Sequence, residues 1–142
     1  MRLKVAKVGK GVALGVGGVF FRAEHPERLA QWYQEHLGLD VQDWGGTSGA
    51  SFSPATMPAS AFTVWGAFPE DTAYFGDPRQ GFMVNLVVDD LDAALANVEE
   101  GGAKVIPERE DHDYGRFGWF VDPAGQRVEL WEPPRTLPED EI

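Results

Sequence analysis

The chain has 142 residues, which is enough for one domain with a sizeable core. Acidic residues outnumber basic ones by 23 to 12, and this net negative charge argues against a nucleic-acid surface and favours neutral or cationic partners. There is no cysteine, which excludes disulfides, thiolate metal sites and thiol nucleophiles. No unbroken apolar run is long enough for a signal peptide or a membrane span, so we expect a cytoplasmic protein that does not bind membranes.

The first half of the chain predicts one helix among short strands. Residues 1–17 are rich in glycine and are expected to form an N-terminal extension. Pro26 begins a helix that runs to about His36 and ends at Gly38. β-Branched and aromatic residues between turn signals predict strands at 19–23, 39–44, 50–53 and 61–68. Residues 69–80 are polar and acidic, and we interpret them as the connection between two halves.

The second half repeats the first at an offset of about 65 residues, so that the helix start near Pro26 corresponds to one near Leu91. A strand at 83–86, this second helix, a strand at 104–106 and a hairpin at 116–132 follow the order of the first half. Each half is thus a βαβββ unit with a helix on one face of a short sheet. Two such units side by side enclose a cleft between their open faces.

The closing hairpin carries the candidate chemistry. Residues 122–125, Asp-Pro-Ala-Gly, suit a type I turn, because proline and glycine occupy its second and fourth positions. Beyond the turn, the two-residue period of a strand places Arg127, Glu129 and Trp131 on one face. Glu129 is therefore a carboxylate that shares its face with a tryptophan.

Three segments also carry a family pattern: HPERLAQWYQEHLGL, VNLVVDDLDAAL and DPAGQRVELWEP. With the paired βαβββ units, they resemble the vicinal oxygen chelate superfamily, which includes glyoxalase I, bleomycin-resistance proteins and extradiol dioxygenases. Two further segments, TVWGAFPEDTAYF and YGRFGWFVDPAGQRVELWEP, resemble a glyoxalase-like bacterial branch without a settled activity. The resemblance covers residues 18–133, with one module at 18–68, a second at 82–133 and an acidic tail at 134–142.

The resemblance implies an α+β fold. Its two tandem modules would form an incompletely closed, eight-stranded, barrel-like sheet around a central cleft. It also implies a homodimer, because the sheet edges at the ends of each half offer surfaces that a second copy could cover.

Metal-dependent members of the superfamily hold a divalent ion on four protein ligands. The resemblance places these ligands at Gly18, Met83, Glu129 and either Thr63 or Trp65. Glycine has no side chain to offer, and a thioether is a poor donor for such an ion. A catalytic divalent site usually needs about three protein ligands, so we predict that no metal is bound. A divalent ion held by Glu129 together with an unconventional ligand is the alternative.

Strand phases and the family geometry predict an aromatic, sparsely polar cleft around Glu129. Its predicted ligand-binding residues are Phe20, Trp65, Met83, Asn85, Tyr114, Trp119 and Trp131. A carboxylate placed there would lose hydration without gaining a cation. We therefore expect Glu129→Gln to leave the free energy of unfolding unchanged or to increase it.

Three functions fit this cleft. The first is a binding or sequestering module for a planar or cationic small molecule, the way bleomycin-resistance proteins act. The second is a metal-independent isomerase or lyase, in which Glu129 is the catalytic general base and Asn85 or a backbone amide stabilises the oxyanion. The third is a metal-dependent enzyme of the glyoxalase or dioxygenase type, with the ion on Glu129 and His112. The sequence does not separate the first two.

Overall fold

Two α-helices, one short 3-10 helix at Pro54–Thr56 and seven short strands form within residues 9–135, the part of the chain that this computed structural model describes. Helix α1 spans Pro26–Leu37 and helix α2 spans Leu91–Glu100. The strands are β1 Gln42–Asp43, β2 Ser48–Gly49, β3 Val84–Val87, β4 Lys104–Val105, β5 Glu110–His112, β6 Gly115–Val121 and β7 Arg127–Glu132. Residues 1–8 of the predicted extension and 136–142 of the predicted tail lie outside the described residues.

The helix starts and ends follow from local sequence. Pro26 occupies the first turn of α1, and Gly38 ends the helix at φ 70°, a left-handed conformation that glycine adopts without strain. In α2 the Asp90 side chain accepts a hydrogen bond from the Ala93 N–H at 3.0 Å and caps the helix. The helical part of the predicted repeat is therefore confirmed. No helix in residues 9–135 is long and apolar enough to cross a membrane.

The main sheet has five strands, in the order β3-β7-β6-β4, with β5 also paired to β6. Strand β3 runs parallel to β7, and β6 and β7 form the predicted antiparallel hairpin. At the hairpin turn the Gly125 N–H donates to the Asp122 carbonyl at 2.9 Å, which confirms the turn. The second module thus contains the predicted elements in order, together with strand β5, which was not predicted.

One face of this sheet packs against both helices. The core consists of Leu29, Tyr33, Leu91, Ala94, Leu95, Val98, Phe120, Val128 and Leu130. A Cβ atom at Gly118 would lie 2.7 Å from Leu95 Cδ1, so this glycine allows α2 to approach β6 closely. Because Val128 and Leu130 face the helices, the residue between them, Glu129, faces the other side of the sheet.

The first module differs from the prediction. Residues 19–23, 50–53 and 61–68 form no strands, and of the predicted strand 39–44 only Gln42–Asp43 forms, paired with Ser48–Gly49. A strand needs a neighbour to accept its backbone hydrogen bonds and to cover its side chains. The side chains of Phe20 and Trp65 are instead 91% and 82% exposed. Within residues 9–135, an open five-stranded sheet and a two-stranded hairpin replace the expected eight-stranded, barrel-like sheet.

Candidate functional site

Glu129 lies in the middle of a row of side chains that crosses three strands. The strand register pairs Asn85 on β3 with Glu129 on β7, and Glu129 with Trp119 on β6. The Asn85 amide donates to Glu129 Oε1 at 2.6 Å, and the Trp119 indole N–H donates to Oε2 at 2.9 Å. Glu129 is only 8% exposed. The sheet itself therefore holds the carboxylate between two neutral donors.

A third donor comes from the segment that connects the two halves. The Tyr74 hydroxyl donates a hydrogen bond to Glu129 Oε2. The Tyr74 ring meets Trp119 edge-on, with centroids 6.1 Å apart, and stacks on Phe68 at 5.4 Å. Burial raises the pKa of Tyr74 well above its usual range, and the hydrogen bond to the carboxylate raises it further. The hydroxyl consequently stays protonated and remains a donor.

The three donors replace the hydration that Glu129 loses on burial. An ionised carboxylate has about four lone-pair sites, and Tyr74, Asn85 and Trp119 occupy three of them. Hydrogen bonds to a charged group stabilise by roughly 1.5–3 kcal/mol each. The carboxylate is therefore better accommodated than its apolar, aromatic surroundings alone would indicate. About one acceptor site is left for a donor on a bound molecule.

Arg127 lies next to this row on the same face of β7. Its guanidinium carbon is 5.8 Å from the centroid of the Trp119 ring, which is within the range of a cation–π contact. Its backbone is held by the Gln80 side chain, which donates to the Arg127 carbonyl and accepts from its N–H, both at 2.8 Å. The connecting segment thus contacts both Arg127 and Glu129.

A second aromatic row lies one step further along the strands. Phe117 and Trp131 are paired in the register, and their rings stack with centroids 6.0 Å apart. The Trp131 N–H donates to the Tyr114 carbonyl at 2.8 Å, and Phe62 meets the Trp131 ring edge-on at 5.0 Å. His112 stacks on Tyr114 at 4.8 Å. These rings form a continuous aromatic wall beside the carboxylate.

The structure brings together most, but not all, of the residues predicted for ligand binding. Met83, Asn85, Tyr114 and Trp131 line one open concavity with Glu129. Its volume of about 3090 Å³ is several times the roughly 300–1,000 Å³ of an ordinary ligand pocket. Only part of the concavity can therefore contact a small molecule.

The other three predicted residues have different positions. Trp119 lies beside Glu129 in the strand register, is 2% exposed, and donates to the carboxylate but does not line the concavity. Phe20 borders the concavity but is almost fully exposed, and Trp65 is exposed and does not border it. Both residues belong to the first-module segments that form no strands, so nothing in the described chain directs their side chains toward Glu129.

The divalent ion of the metal-dependent relatives does not fit the residues found here. Gly18 has no side-chain donor, Met83 offers a thioether, and the Glu129 oxygens accept from three neutral donors. His112 is hydrogen-bonded to Glu110 at 2.9 Å. Residues 9–135 contain no group of three histidine, aspartate or glutamate side chains that could share an ion. No chemical step through a metal follows from this arrangement.

Sequence reasoning did not assign Tyr74 or Arg127 to the site. Tyr74 belongs to the aromatic pair Tyr74–Phe75, which stands out in an otherwise polar connection, and that contrast was the available signal. Arg127 was already predicted to share the face of Glu129. The alternation of side chains along the strand therefore predicted on which face Arg127 lies. It did not predict that the Arg127 Nε atom has no hydrogen-bond partner within residues 9–135.

Comparison with known proteins agrees with this architecture. The profile of the glyoxalase-like domain matches residues 18–131. "Putative glyoxylase CFP32" of Mycobacterium bovis and of Mycobacterium tuberculosis is 30% identical over 90 residues, 63% of this chain. The chain spans about a third, 34%, of the length of these relatives.

Solved structures to which the chain is similar include TnmS3, an antibiotic-binding protein from Streptomyces sp. CB03234. It is 24% identical, with a TM-score of 0.48 over 79% of this chain and 89% of that one. A member of the glyoxalase/bleomycin resistance protein/dioxygenase superfamily from Sphaerobacter thermophilus is 20% identical, with a TM-score of 0.48 over 85% of this chain and 98% of that one. The family match spans both helices and the whole Glu129 row, and the chain accordingly belongs to the glyoxalase-like domain family of the vicinal oxygen chelate superfamily.

Proposed function

We propose that this protein is a binding module for a planar, largely apolar small molecule. The ligand lies in the cleft against the aromatic wall and donates a hydrogen bond to Glu129. The observation that carries this proposal is the arrangement of Tyr74, Asn85 and Trp119 around the carboxylate. It creates one rigid, oriented acceptor in an aromatic surface, which is the usual composition of a small-molecule pocket.

The same arrangement favours binding over proton transfer. A general base needs a free path to the proton it removes, and its reaction needs a donor for the developing oxyanion. The Asn85 amide, which was the candidate oxyanion donor, already donates to Glu129. Three hydrogen bonds also occupy most of the lone-pair sites through which Glu129 would accept a proton. Catalysis by Glu129 therefore remains the second candidate.

We propose that the cleft works without a divalent ion, because glycine and methionine stand at two of the family's ligand positions. Elemental analysis of protein purified without chelators should find less than one transition metal per chain. One tightly held ion per chain that is lost on Glu129→Ala, with the fold retained, would contradict the proposal.

The function is tested with 2-naphthol, a planar neutral probe with a single hydroxyl donor. Isothermal titration calorimetry should show one molecule bound per chain. Glu129→Gln should weaken binding about tenfold, because a charge-assisted hydrogen bond becomes a neutral one. Glu132→Gln is the matched control, because Glu132 lies on the same strand and accepts from the Leu91 N–H at the start of α2. Absence of 2-naphthol binding, or equal loss in both variants, would overturn the proposal.

A further inference from the structure

Arg127 lines the concavity beside Glu129. The Arg127 Nε atom is buried and has no hydrogen-bond partner. No nitrogen of its guanidinium donates to another described residue, and it forms no ion pair with an acid in residues 9–135. Buried polar groups are nearly always hydrogen-bonded, so an orphaned guanidinium nitrogen calls for an explanation.

The acids around Arg127 are already engaged elsewhere. Gly76 packs against the aliphatic part of Arg127, where an added Cβ atom would lie 3.2 Å from Arg127 Cδ. The next residue, Asp77, pairs with Arg79 through two side-chain hydrogen bonds of 3.1 and 2.7 Å. Those bonds lower the pKa of Asp77 to about 2, so it stays an ionised partner of Arg79. Glu129 is occupied by its three neutral donors.

Two other arginines near this sheet form ion pairs with acids. Arg116 contacts Asp92, Asp111 and Glu132, and Arg109 also contacts Asp92. The chain has a large excess of acids, yet none of the described ones pairs with Arg127. Two described arginines line the concavity. Arg22 is exposed to solvent, whereas Arg127 has a buried Nε atom without a hydrogen-bond partner.

We propose that Arg127 binds an anionic oxygen of the ligand, such as a carboxylate or an enolate. This inference rests on the proposed small-molecule site and defines the chemical class of its ligand. An arginine side chain presents a planar set of donors that matches the two oxygens of a carboxylate, and a bound anion would supply the ion pair that Arg127 lacks within residues 9–135. Contact with the Trp119 ring orients the guanidinium before the ligand arrives.

The positions of Arg127 and Glu129 constrain the ligand further. They are two residues apart on one strand, so their Cα atoms are about 7 Å apart. A ligand that contacts both carries an anion at one end and a hydrogen-bond donor at the other, with a planar body between them. A fused aromatic ring with a hydroxyl and a carboxylate at opposite ends has these features. The structure therefore favours an acidic ligand over a cationic one.

The test compares three naphthol probes by isothermal titration calorimetry at neutral pH. All three share the naphthol ring and its hydroxyl group. 6-Hydroxy-2-naphthoate adds an anionic carboxylate, 6-aminomethyl-2-naphthol adds a cationic amine, and 2-naphthol has no second substituent. The wild-type protein should bind the carboxylate about tenfold more tightly than 2-naphthol. Arg127→Met should abolish this preference, so that the carboxylate and 2-naphthol bind with about equal affinity, and Arg127→Lys should retain part of it. Arg109→Met is the control, because Arg109 pairs with Asp92 outside the concavity, and it should leave the preference intact.

A second measurement uses only the wild-type protein, so it does not require that an Arg127 variant folds. The Nε–H resonance of Arg127 in the nuclear magnetic resonance spectrum should shift on addition of 6-hydroxy-2-naphthoate, but not on addition of 2-naphthol. Equal affinity for the carboxylate and 2-naphthol overturns the role of Arg127 and leaves the proposed function standing. Tighter binding of the aminomethyl probe overturns it in favour of a cationic ligand. Failure of all three probes to bind overturns both proposals.

Discussion

At the scale of single residues, the chemistry of this cleft depends on neutral donors around one buried acid. Tyr74, Asn85 and Trp119 donate hydrogen bonds to the Glu129 carboxylate, and none of the three carries a formal positive charge. These hydrogen bonds fix the position of the carboxylate, but no cation pairs with it in the network. A ligand then meets an acceptor whose direction is already defined.

Glu129→Gln should destabilise the protein by about 1–3 kcal/mol at neutral pH, because an amide cannot accept all three hydrogen bonds as a carboxylate does. This reverses the expectation from sequence, which considered only the loss of hydration. Urea unfolding followed by circular dichroism measures the difference. Glu35→Gln, at an exposed position on α1, should change the free energy of unfolding by less than about 0.5 kcal/mol. An unchanged or increased stability of Glu129→Gln would indicate that the network does not stabilise the carboxylate.

Tyr74 and Tyr33 should both resist ionisation while the protein is folded. Burial raises the pKa of each, and Glu129 and Asp122 raise it further. Tyrosines in the unfolded chain lose their protons near about pH 10. The contribution of the two buried hydroxyl groups to the free energy of unfolding is therefore complete below that pH and declines as the pH rises above it, because the unfolded chain ionises first. Phenolate absorbance should therefore be the same for native wild-type protein and native Tyr74→Phe up to about pH 10.5. In urea, the wild-type protein should gain one more tyrosine of signal than the variant. A lower native signal in Tyr74→Phe would contradict the buried hydrogen bond.

At the scale of elements, a second buried acid connects helix α1 to the β6–β7 hairpin. Asp122 is 7% exposed and accepts from the backbone N–H groups of Ala124 and Gln126 at 3.0 and 2.9 Å. Its other oxygen accepts from the Tyr33 hydroxyl at 2.7 Å. One carboxylate thus stabilises the turn and attaches the first-module helix to the second-module sheet. The orientation of the strand that carries Glu129 depends on this contact.

Removing the Tyr33 hydroxyl should separate the two roles of Asp122. Tyr33→Phe should lower the free energy of unfolding by about 1.5–3 kcal/mol, because a buried hydrogen bond to a charged group is lost while the ring stays packed on Phe120. Urea unfolding measures the change. Tyr114→Phe is the matched control, because Tyr114 is 51% exposed, and its effect should be within about 0.5 kcal/mol. Equal effects of the two substitutions would show that Asp122 stabilises only its own turn.

At the scale of the whole molecule, the first module leaves a large apolar surface uncovered. Phe20, Val64 and Trp65 are 91%, 68% and 82% exposed, and β3 is an edge of the main sheet. Extensive exposed apolar surface next to an open sheet edge is typical of a protein–protein interface. The concavity of about 3090 Å³ also needs a cover before it resembles a small-molecule pocket. A second copy of the chain would supply that cover, and its edges would allow residues 19–23 and 61–68 to pair as strands.

We therefore expect a homodimer in solution. Light scattering at micromolar concentration should give a mass of two chains, and Trp65→Asp should give a mass of one, because a charge at an apolar interface is costly. Leu14→Asp, at a residue that is 74% exposed in the extension, should remain dimeric. A one-chain mass for the wild-type protein would contradict the prediction.

The sequence by itself determined the elements whose signals are local. The proline and glycine that bound α1, the capping aspartate of α2 and the turn at 122–125 act within a few residues, so their effects are readable from the chain. Alternation along β7 likewise placed Glu129 and Arg127 on the face opposite Val128 and Leu130. Because side chains alternate between the two faces of a strand, burial of Val128 and Leu130 on one face places their neighbours on the other.

Only the tertiary structure decided which groups meet. The Tyr74 hydroxyl reaches Glu129 across 55 positions of sequence, and the buried Nε atom of Arg127 has no hydrogen-bond partner within residues 9–135. The strands expected at residues 19–23 and 61–68 depended equally on distant partners, and none forms within the described chain. Hydrogen bonds and ion pairs between remote segments follow from packing. Local propensity and periodicity carry no information about them.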